Sequence, residues 1–349
     1  MYAGDKMKFL KIILCVSLVL CIVFSFCSCE KEKNKYTAYS FDYFDTATSI
    51  VGYERTKEEF NAVCDEIFAL LEEYHKLYNI YYTYDGINNI CTLNKAKSAT
   101  AVDEKILDLL EYCKEMYTLT GGYTNVAMGS VLSIWHDYRE AGASDPANAE
   151  LPTMEKLLEA AKHTDINDLV IDREAGTAQL LDGEMSLDVG AVAKGYAVAR
   201  VAEYLEEKGV SGYILNVGGN VCVLGARGDG SSWTVGIENP DKGDEDTPYI
   251  EYLYLTDGSL VTSGAYQRYY YVDGVRYHHI IDKDTLLPEN KFLSVSVLCE
   301  DSGLGDALST ALFCMSLDEG KALVAGIESV ESMWVLADGT QVYSSGWKE

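Results

Sequence analysis

The sequence predicts an α+β protein, with helices and mostly antiparallel strands in separate blocks of the chain. Helical hydrophobic periods mark the first part of the chain, one central segment and a region near the C-terminus. Short strand-like runs separated by turns fill most of the remainder. The composition agrees, because 26 tyrosines and 29 glycines favour extended segments and many turns.

Each helix is predicted from its apolar period and its end signals. Thr56 and Glu59 form a capping box, and Gly121-Gly122 ends the second helix. The predicted helices are Thr56–Tyr78, Val102–Leu119, Pro152–Lys162, Val192–Gly209, Gly303–Met315 and Leu317–Ala325. The predicted strands are one or two over Tyr36–Tyr53, short strands from Leu169, and then Tyr213–Val217, Val221–Leu224, Trp233–Ile237, Tyr252–Leu255, Tyr266–Val272, Arg276–Ile281, Phe292–Cys299 and Met333–Leu336.

The composition describes an acidic globular protein of one large domain or two interlocked ones. The 349 residues include 28 Lys+Arg and 55 Asp+Glu, which gives a formal net charge of -27. This balance excludes a nucleic-acid partner, because phosphate backbones are bound through clustered basic side chains. The apolar fraction of 48% is far above that of disordered chains, and no linker is long enough to separate independent domains.

The N-terminus has the pattern of a bacterial export signal. Three lysines precede an apolar run from Ile12 to Phe26, which is shorter than the roughly 20 residues of a membrane span. Ser28-Cys29 resembles a lipoprotein cleavage site, with Cys27 as a rival position and an uncleaved membrane anchor as the alternative. We therefore expect a signal peptide over 1–28, lipidation at Cys29, a tether over 29–35 and one domain over 36–349, held at the membrane outside the cytoplasm.

The cysteines of the predicted domain lie in apolar surroundings, where a free thiol behaves as a small core residue. No CxxC pair occurs among them, which argues against a zinc site. An even count in an exported protein permits disulfides, but nothing in the spacing demands them, and we expect structural thiols. These cysteines are Cys64, Cys91, Cys113, Cys222, Cys299 and Cys314.

The first of three glycine-rich motifs runs from Ser186 to Tyr196 and reads as strand, tight turn and helix start. Asp188 is expected at the end of the strand, and backbone amides at the helix N-terminus can hold an anion such as phosphate. Lys194, one turn into the helix, could add a positive charge. The alternative is an ordinary turn with a surface lysine, since neither GxxxxGK[ST] nor GxGxxG is present.

The second motif places Asp306 and Thr310 at positions i and i+4 of a helix, on one face. A carboxylate and a hydroxyl are hard oxygen donors that suit Mg²⁺, which keeps coordination sites for water and phosphate oxygens. The alternative is that Asp306 only makes a favourable interaction with the helix dipole.

The third motif combines Thr262-Ser263-Gly264 with the His278-His279 pair. The hydroxyls of Thr262 and Ser263 and the side-chain-free backbone at Gly264, expected just before a strand, could bind a ligand. In a strand the two histidines face opposite sides of the sheet, so one is expected to be packed and the other exposed or in a site. A structural role is the more common one for such a histidine. The remaining histidines, His75, His136 and His163, are interpreted as incidental, as is the tripeptide Arg227-Gly228-Asp229.

In order along the chain, these motifs make the sequence similar to the ApbE family of exported, often lipidated flavin transferases, which move FMN from FAD to a threonine of an acceptor protein. The resemblance spans about Phe41 to Tyr343 and is carried by LDVGAVAKGYA, LNVGGNVCVLG with WTVGIENP, VTSGAY, YHHIID and DALSTA. It implies an ApbE-like, T-fold-related α+β fold, with mixed or antiparallel sheets, flanking helices and an FAD cleft.

The resemblance also implies roles for individual residues. Asp306 and Thr310 would ligate Mg²⁺ together with the backbone carbonyl of Ala191, and His279 and Asp188 are the catalytic candidates. The FAD contacts it implies are Phe44, Tyr81, Tyr123, Thr124, Asn125, Asp188, Lys194, Thr262, Ser263, Gly264, His279, Ile280 and Ser309.

The sequence departs from the family pattern at several of these places. Asn125 replaces a common Asp, so an acid–base role there is in doubt, and Ala265 stands where Asp is usual. Lys283 and Leu286 replace the usual Pro and Gly of the segment after Asp282. The metal motif is intact.

The implied reaction is the Mg²⁺-dependent transfer of FMN to a threonine hydroxyl with release of AMP. The implied acceptors are electron-transfer subunits of the Rnf or sodium-pumping quinone reductase (Nqr) type, or other extracytoplasmic flavoproteins. Two alternatives stay open: hydrolysis of FAD to FMN and AMP, and a non-catalytic FAD-binding lipoprotein. A surface adhesin has only the Arg-Gly-Asp tripeptide in its favour.

Overall fold

A computed structural model describes residues 33–241, 243 and 246–347 of the chain. The predicted signal peptide and Cys29 lie outside these residues. Within them, no helix has both the length and the apolar character needed to cross a bilayer. The first strand begins at Asn34, so the C-terminal end of the predicted tether is part of the folded domain.

The helices and strands are numbered here in chain order within the described residues. The α-helices are α1 Lys57–Tyr78, α2 Ile90–Lys95, α3 Glu104–Leu119, α4 Gly129–Ser144, α5 Met154–Ala160, α6 Ala193–Glu207, α7 Ser302–Cys314 and α8 Leu317–Ala325. The strands are β1 Asn34–Tyr43, β2 Thr46–Glu54, β3 Thr100–Ala101, β4 Leu169–Asp172, β5 Thr177–Leu180, β6 Tyr213–Val217, β7 Asn220–Leu224, β8 Trp233–Glu238, β9 Tyr249–Leu255, β10 Gly258–Gly264, β11 Tyr269–Val272, β12 Val275–His278, β13 Phe292–Cys299, β14 Glu331–Leu336 and β15 Gln341–Tyr343.

An 8-stranded sheet in the order β1-β2-β6-β7-β10-β13-β14-β15 forms the frame of the molecule. Every neighbouring pair in it is antiparallel, which confirms the predicted α+β class. Three smaller sheets, β11-β12, β3-β5-β4 and β8-β9, surround it. The sheet buries side chains on both faces. One face packs against α1, α6 and α7, and the other packs against the β8-β9 hairpin and Trp347.

Helices α6 and α7 cross each other on the sheet at a distance that only glycine permits. A Cβ on Gly195 would lie 2.3 Å from the carbonyl oxygen of Ser302 and 2.4 Å from Cβ of Asp306. On α7, a Cβ on Gly305 would lie 2.7 Å from Cγ2 of Val261 in β10. These contacts bring the first and second motifs against each other, over the strand that carries the third.

Two elements that shape the site were not predicted. Thr262 and Ser263 lie within β10, near the middle of the large sheet, rather than just before a strand. Helix α4 begins at Gly129 with no side-chain cap, so its N-terminus carries no sequence signal. The predicted strands over Tyr266–Val272 and Arg276–Ile281 are shorter than expected, because β11 begins at Tyr269 and β12 ends at His278.

The β1-β2 hairpin turns through two residues, Phe44 and Asp45, with positive φ angles of 53° and 51°. Both residues are in the left-handed region that a two-residue type I′ turn requires, although neither is glycine. We expect Asp45→Gly to raise the free energy of unfolding by about 1 kcal/mol, because glycine adopts this conformation without strain. Asp42 lies in β1 and does not have a positive φ, so Asp42→Gly is the control and should lower stability; chemical denaturation of both variants checks this.

Candidate active site

The first two motifs meet at a buried carboxylate. Asp306 lies on α7, and its two side-chain oxygens are 3.2 and 3.3 Å from Nζ of Lys194 on α6. The backbone N–H of Gly195 donates a hydrogen bond of 2.8 Å to Asp306 Oδ2. Lys194 is therefore not an unpaired surface lysine, and the close crossing at Gly195 makes this contact possible.

Hydroxyl groups from the third motif extend the same cluster. Ser263 Oγ on β10 lies 2.8 Å from Ser309 Oγ and 3.4 Å from Thr310 Oγ1, both on α7. Ser309 Oγ also donates to the carbonyl oxygen of Asp306, at 3.1 Å. Strand alternation turns Thr262 away, since its hydroxyl bonds Ser296 Oγ at 2.8 Å across β13. Ser263 joins the cluster through its side chain, whereas the hydroxyl of Thr262 does not.

The segment after α3 contacts α7 next to the buried carboxylate. The buried Thr124 hydroxyl donates a 2.7 Å hydrogen bond to the carbonyl oxygen of Ala307, next to Asp306. Asn125 holds the local backbone, because its amide donates to the Thr164 carbonyl and its side-chain oxygen accepts from Ala127 N–H. Tyr123 lies beneath Lys283, with the ammonium 4.7 Å from the ring centroid.

Asp188 lies just before α6, in the turn that the first motif predicts. Only an isolated bridge at Ser186 precedes it, so the expected strand is reduced to one residue pair. Its carboxylate accepts a 2.9 Å hydrogen bond from Gly190 N–H. Burial raises the pKa of Asp188, and the Gly190 hydrogen bond and nearby His136, Arg268 and Arg139 oppose that shift. A raised pKa makes this carboxylate a stronger proton acceptor than an ordinary one when it is ionised.

Tyr81 is 46% exposed, so one part of its ring is open to a ligand; burial raises the pKa of its hydroxyl, and the charge of Asp188 adds to that shift. The ring packs on His136 of α4, with centroids 5.0 Å apart. Arg139, one turn further along α4, bonds Nδ1 of His136 at 2.8 Å. His136 therefore contacts a predicted site residue and Arg139 lies in the same contact network, and the sequence analysis had assigned neither of them to the site. Their i, i+3 spacing was the available signal.

The two adjacent histidines differ as expected in their surroundings. His278 is 2% exposed; its Nε2 donates to the Glu289 carbonyl at 2.6 Å and its Nδ1 accepts from Ile280 N–H. His279 is partly exposed just after β12, and its Nδ1 is 3.3 Å from the carbonyl oxygen of Arg268. Burial lowers the pKa of His279 to about 3, and Arg268 adds to the shift. A neutral ring that donates from Nδ1 keeps Nε2 available as a proton acceptor.

The buried His278 predicts a pH dependence of stability. Burial lowers its pKa to about 4 in the folded protein, against about 6.5 in an unfolded chain. The unfolded state therefore binds the proton more tightly, so stability is full above about pH 6.5 and falls as the pH drops toward 4. We expect the stability difference between wild type and His278→Gln to shrink by up to about 3 kcal/mol over this range, measured by denaturation at each pH. A pH-independent difference would contradict this.

Phe44 occupies the strained β1-β2 turn and is fixed there by His75. The Phe44 N–H donates to His75 Nδ1 at 3.0 Å, and the two rings pack edge to face at 5.7 Å. The other nitrogen, Nε2, lies 3.3 Å from the hydroxyl of Tyr84. His75 is therefore a structural support for a predicted FAD contact and not an incidental residue.

The donor set predicted for Mg²⁺ is compatible with the geometry of α7. Asp306 supplies a carboxylate, Thr310 supplies a partly exposed hydroxyl one turn later, and Ala191 lies in the turn before α6. All three donors are hard oxygens, and Mg²⁺ uses few protein ligands where phosphate oxygens complete its shell. Within the described residues, no cluster of three His, Cys, Asp or Glu side chains is placed to hold a metal ion.

A cavity of about 610 Å³ lies elsewhere, between α1 and the segment from Gly86 to Asp103. It contains none of the predicted site residues, so the FAD cleft stays a prediction drawn from the motifs. The six described cysteines are all buried and free, which confirms their interpretation as structural thiols.

The comparison with known proteins agrees with the resemblance to the ApbE family. The sequence profile of the ApbE family matches residues 44–334, most of the chain. The chain belongs to the ApbE family. Among its relatives, the FAD:protein FMN transferase of Vibrio cholerae is 31% identical over 286 residues, which is 80% of this chain and 81% of that protein. That of Treponema pallidum is 29% identical over 308 residues, 84% of this chain and 82% of that protein.

Solved ApbE structures have the same fold. The ApbE protein from Thermotoga maritima superposes with a TM-score of 0.78 at 27% identity, over 90% of this chain and 98% of that one. The flavin transferase ApbE from Vibrio cholerae superposes with a TM-score of 0.75 at 26% identity, over 90% and 99%. The predicted family, the α+β class and the prediction of a transferase enzyme are thereby confirmed.

Proposed function

We propose that this protein transfers FMN from FAD to a threonine hydroxyl of an acceptor protein and releases AMP. The threonine oxygen bonds to the phosphorus of the FMN half, and the bond from that phosphorus to the bridging oxygen breaks. AMP leaves with the bridging oxygen, and the hydroxyl proton passes to a base. The observation that carries the proposal is the convergence of Lys194, Asp306 and Ser263 at the crossing of α6 and α7, in a chain of the ApbE family.

The residues at this crossing suit a pyrophosphate. The ammonium of Lys194 and the first amides of α6 favour an anion, and the hydroxyls of Ser263, Ser309 and Thr310 can donate to phosphate oxygens. Mg²⁺, held by Asp306, Thr310 and the carbonyl of Ala191, would neutralise phosphate charge and stabilise the AMP leaving group. Positioning and charge neutralisation supply most of the catalysis in phosphoryl transfer.

Two groups near the proposed flavin side can accept the threonine proton. His279 is neutral and has Nε2 available, although its lowered pKa makes it a weaker proton acceptor than an ordinary histidine. Asp188 has a raised pKa, which makes its ionised form a stronger acceptor than an ordinary carboxylate. Asn125 is bonded through both ends of its amide to the surrounding backbone, which suits a structural role and not a proton transfer. His279 and Asp188 are therefore the proposed catalytic residues, with the other predicted FAD contacts around them.

The proposed setting of the reaction follows from the sequence alone. The N-terminal signal and Cys29 would hold the enzyme at the outer side of a bacterial cytoplasmic membrane as a lipoprotein. Its acceptors would be electron-transfer subunits of the Rnf or Nqr type or other extracytoplasmic flavoproteins. Globomycin-sensitive processing and labelling of the chain by a lipid precursor, lost in Cys29→Ser, would test the anchor.

Product analysis separates the proposed reaction from its alternatives. The purified protein is incubated with FAD, Mg²⁺ and a threonine-containing acceptor, and nucleotides and acceptor are separated by chromatography. Transfer gives AMP and a covalently flavinylated acceptor, and replacing Mg²⁺ by excess chelator should stop it. Free FMN together with AMP would identify a hydrolase, and unchanged FAD would identify a binding protein; either result would overturn the proposal.

A further inference from the structure

Two arginines flank the end of the site where Tyr81, Asp188 and His279 lie, and the predicted contact set includes neither of them. Arg139 is on α4, and Arg268 is in the loop between β10 and β11. Contacts tie both to the site: Arg139 bonds His136, which packs on Tyr81, and the carbonyl of Arg268 accepts from His279.

The charges of both arginines converge on the same three groups. Burial raises the pKa of Tyr81 to about 12 and raises that of Asp188, and in both cases Arg139 and Arg268 oppose the shift. Burial lowers the pKa of His279, and both arginines lower it further. The three groups come from three separate segments, and the charges of both arginines act on all of them, in agreement with the contacts of Arg139 with His136 and of the Arg268 backbone with His279.

Arg268 is available to a ligand. It is exposed, and within residues 33–241 and 246–347 it has no ion-pair partner. Two carboxylates whose charges reach this region, Asp188 and Asp45, form no ion pair with it. Arg139 is mostly buried, and its contact with the exposed Glu140 is long, at 3.4 Å. The guanidinium of Arg268 therefore supplies a local positive charge in a chain whose net charge is -27.

We propose that Arg139 and Arg268 form a subsite for the phosphate of the FMN half of the flavin nucleotide, beside the aromatic surface of Tyr81. This inference deepens the proposed function and rests on it. A flavin ring stacked on the exposed part of Tyr81 would place its ribityl phosphate within reach of guanidinium forks, which match phosphate oxygens in bidentate geometry. Lys194 and the α6 amides then bind the AMP-side phosphate, which is joined to the FMN phosphate through the bridging oxygen.

The test compares three ligands that divide FAD into its parts. FMN and riboflavin differ only in the phosphate, and AMP represents the other half. Affinities are measured by flavin fluorescence and calorimetry for the full chain, for Arg268→Ala and Arg139→Ala, and for Arg173→Ala as control. Arg173 is a surface arginine paired with Asp108 and Glu111, so its loss changes net charge equally without touching the site.

We expect Arg268→Ala to weaken FMN binding about tenfold and to change riboflavin and AMP binding less than twofold. Arg268→Lys should recover part of the loss, high salt should reduce the difference, and Arg173→Ala should bind all three ligands as the wild type does. Thermal unfolding verifies the fold of each variant. If Arg139→Ala does not fold, the exposed Arg268 carries the test alone.

Several results would overturn this subsite. The first is that Arg268→Ala weakens the binding of FMN and of riboflavin equally. The second is that Arg268→Ala leaves FMN affinity unchanged but lowers the reaction rate with the acceptor protein. The third is that the wild type shows no saturable FMN binding. The first would indicate a contact with the flavin ring, and the second would indicate an acceptor-binding role for Arg268. Failure of the proposed function gives a different result. If the wild type binds FMN through Arg268 but never modifies an acceptor, the subsite proposal stands and the transferase proposal fails.

Discussion

Asp306→Asn should reduce FMN transfer at least about a hundredfold while leaving a folded protein. The amide oxygen can still accept the hydrogen bond from Gly195 N–H, so the crossing of α6 and α7 is preserved. The substitution removes the charge that faces Lys194 and the carboxylate of the proposed Mg²⁺ site. Initial rates of acceptor flavinylation at saturating FAD and Mg²⁺, with thermal unfolding alongside, measure the effect.

Asp301→Asn is the matched control, because it makes the same chemical change on the same helix. Asp301 caps the N-terminus of α7 by accepting from Leu304 N–H, and asparagine caps helices equally well. The control should keep near wild-type transfer, although it loses a partly exposed contact with Arg200. If Asp306→Asn transfers FMN at the same rate as Asp301→Asn, the carboxylate of Asp306 is not required for catalysis.

Gly195→Ala should damage both stability and transfer. The added Cβ would meet the Ser302 carbonyl oxygen at 2.3 Å and Asp306 Cβ at 2.4 Å, and no rotamer change can move a backbone atom. We expect the two helices to separate, at a cost of about 1–3 kcal/mol and a fall in Tm of several degrees. Because this displaces Asp306 from Lys194, transfer should fall by up to about a hundredfold.

Gly183→Ala is the control that shows whether the loss of stability and transfer in Gly195→Ala comes from the crossing of α6 and α7. Gly183 lies in an exposed turn, and its added Cβ would meet only Lys97 Nζ, at 3.9 Å. This variant should have the Tm of the wild type and should transfer FMN at the wild-type rate. A Gly195→Ala protein with the same Tm as Gly183→Ala would show that the crossing tolerates a side chain and would contradict the packing argument.

Local patterns predicted much of the fold. The capping box at Thr56 is present with both of its hydrogen bonds, and the helix over Leu317–Ala325 has the predicted ends. The α+β class also followed, because strand periodicity is a short-range property. Helix α4 was missed because its first residue is glycine and its ends carry no side-chain cap, and β10 was hidden by hydroxyl residues that suggested a loop.

The site was predicted in its parts but not in its connections. Lys194 and Asp306 were both identified, yet their ion pair joins residues 112 positions apart, which no local pattern encodes. The packing of α6 on α7 through Gly195 decides that contact. The same reason explains why His136 was set aside, since its role depends on how α4 lies against Tyr81.

Leu286 shows a departure that the sequence identified but could not explain. It has a positive φ of 61°, the conformation that the family's usual glycine adopts without strain. Its side chain is 4% exposed within a cluster that includes Trp135, whose indole N–H donates to the Leu286 carbonyl. Burial of a leucine contributes more than the roughly 1–2 kcal/mol of strain, which accounts for its place in this chain.

The central claim is that the protein moves FMN onto an acceptor, and the intact mass of the acceptor tests it most directly. Wild type and Asp306→Asn are each incubated with FAD, Mg²⁺ and an acceptor flavoprotein subunit, and with the same acceptor carrying alanine at its threonine. The account predicts that only the wild type with the threonine acceptor gives a mass gain of FMN less water, with one AMP released per acceptor modified. An acceptor of unchanged mass, with AMP and free FMN formed or with FAD intact, would contradict it.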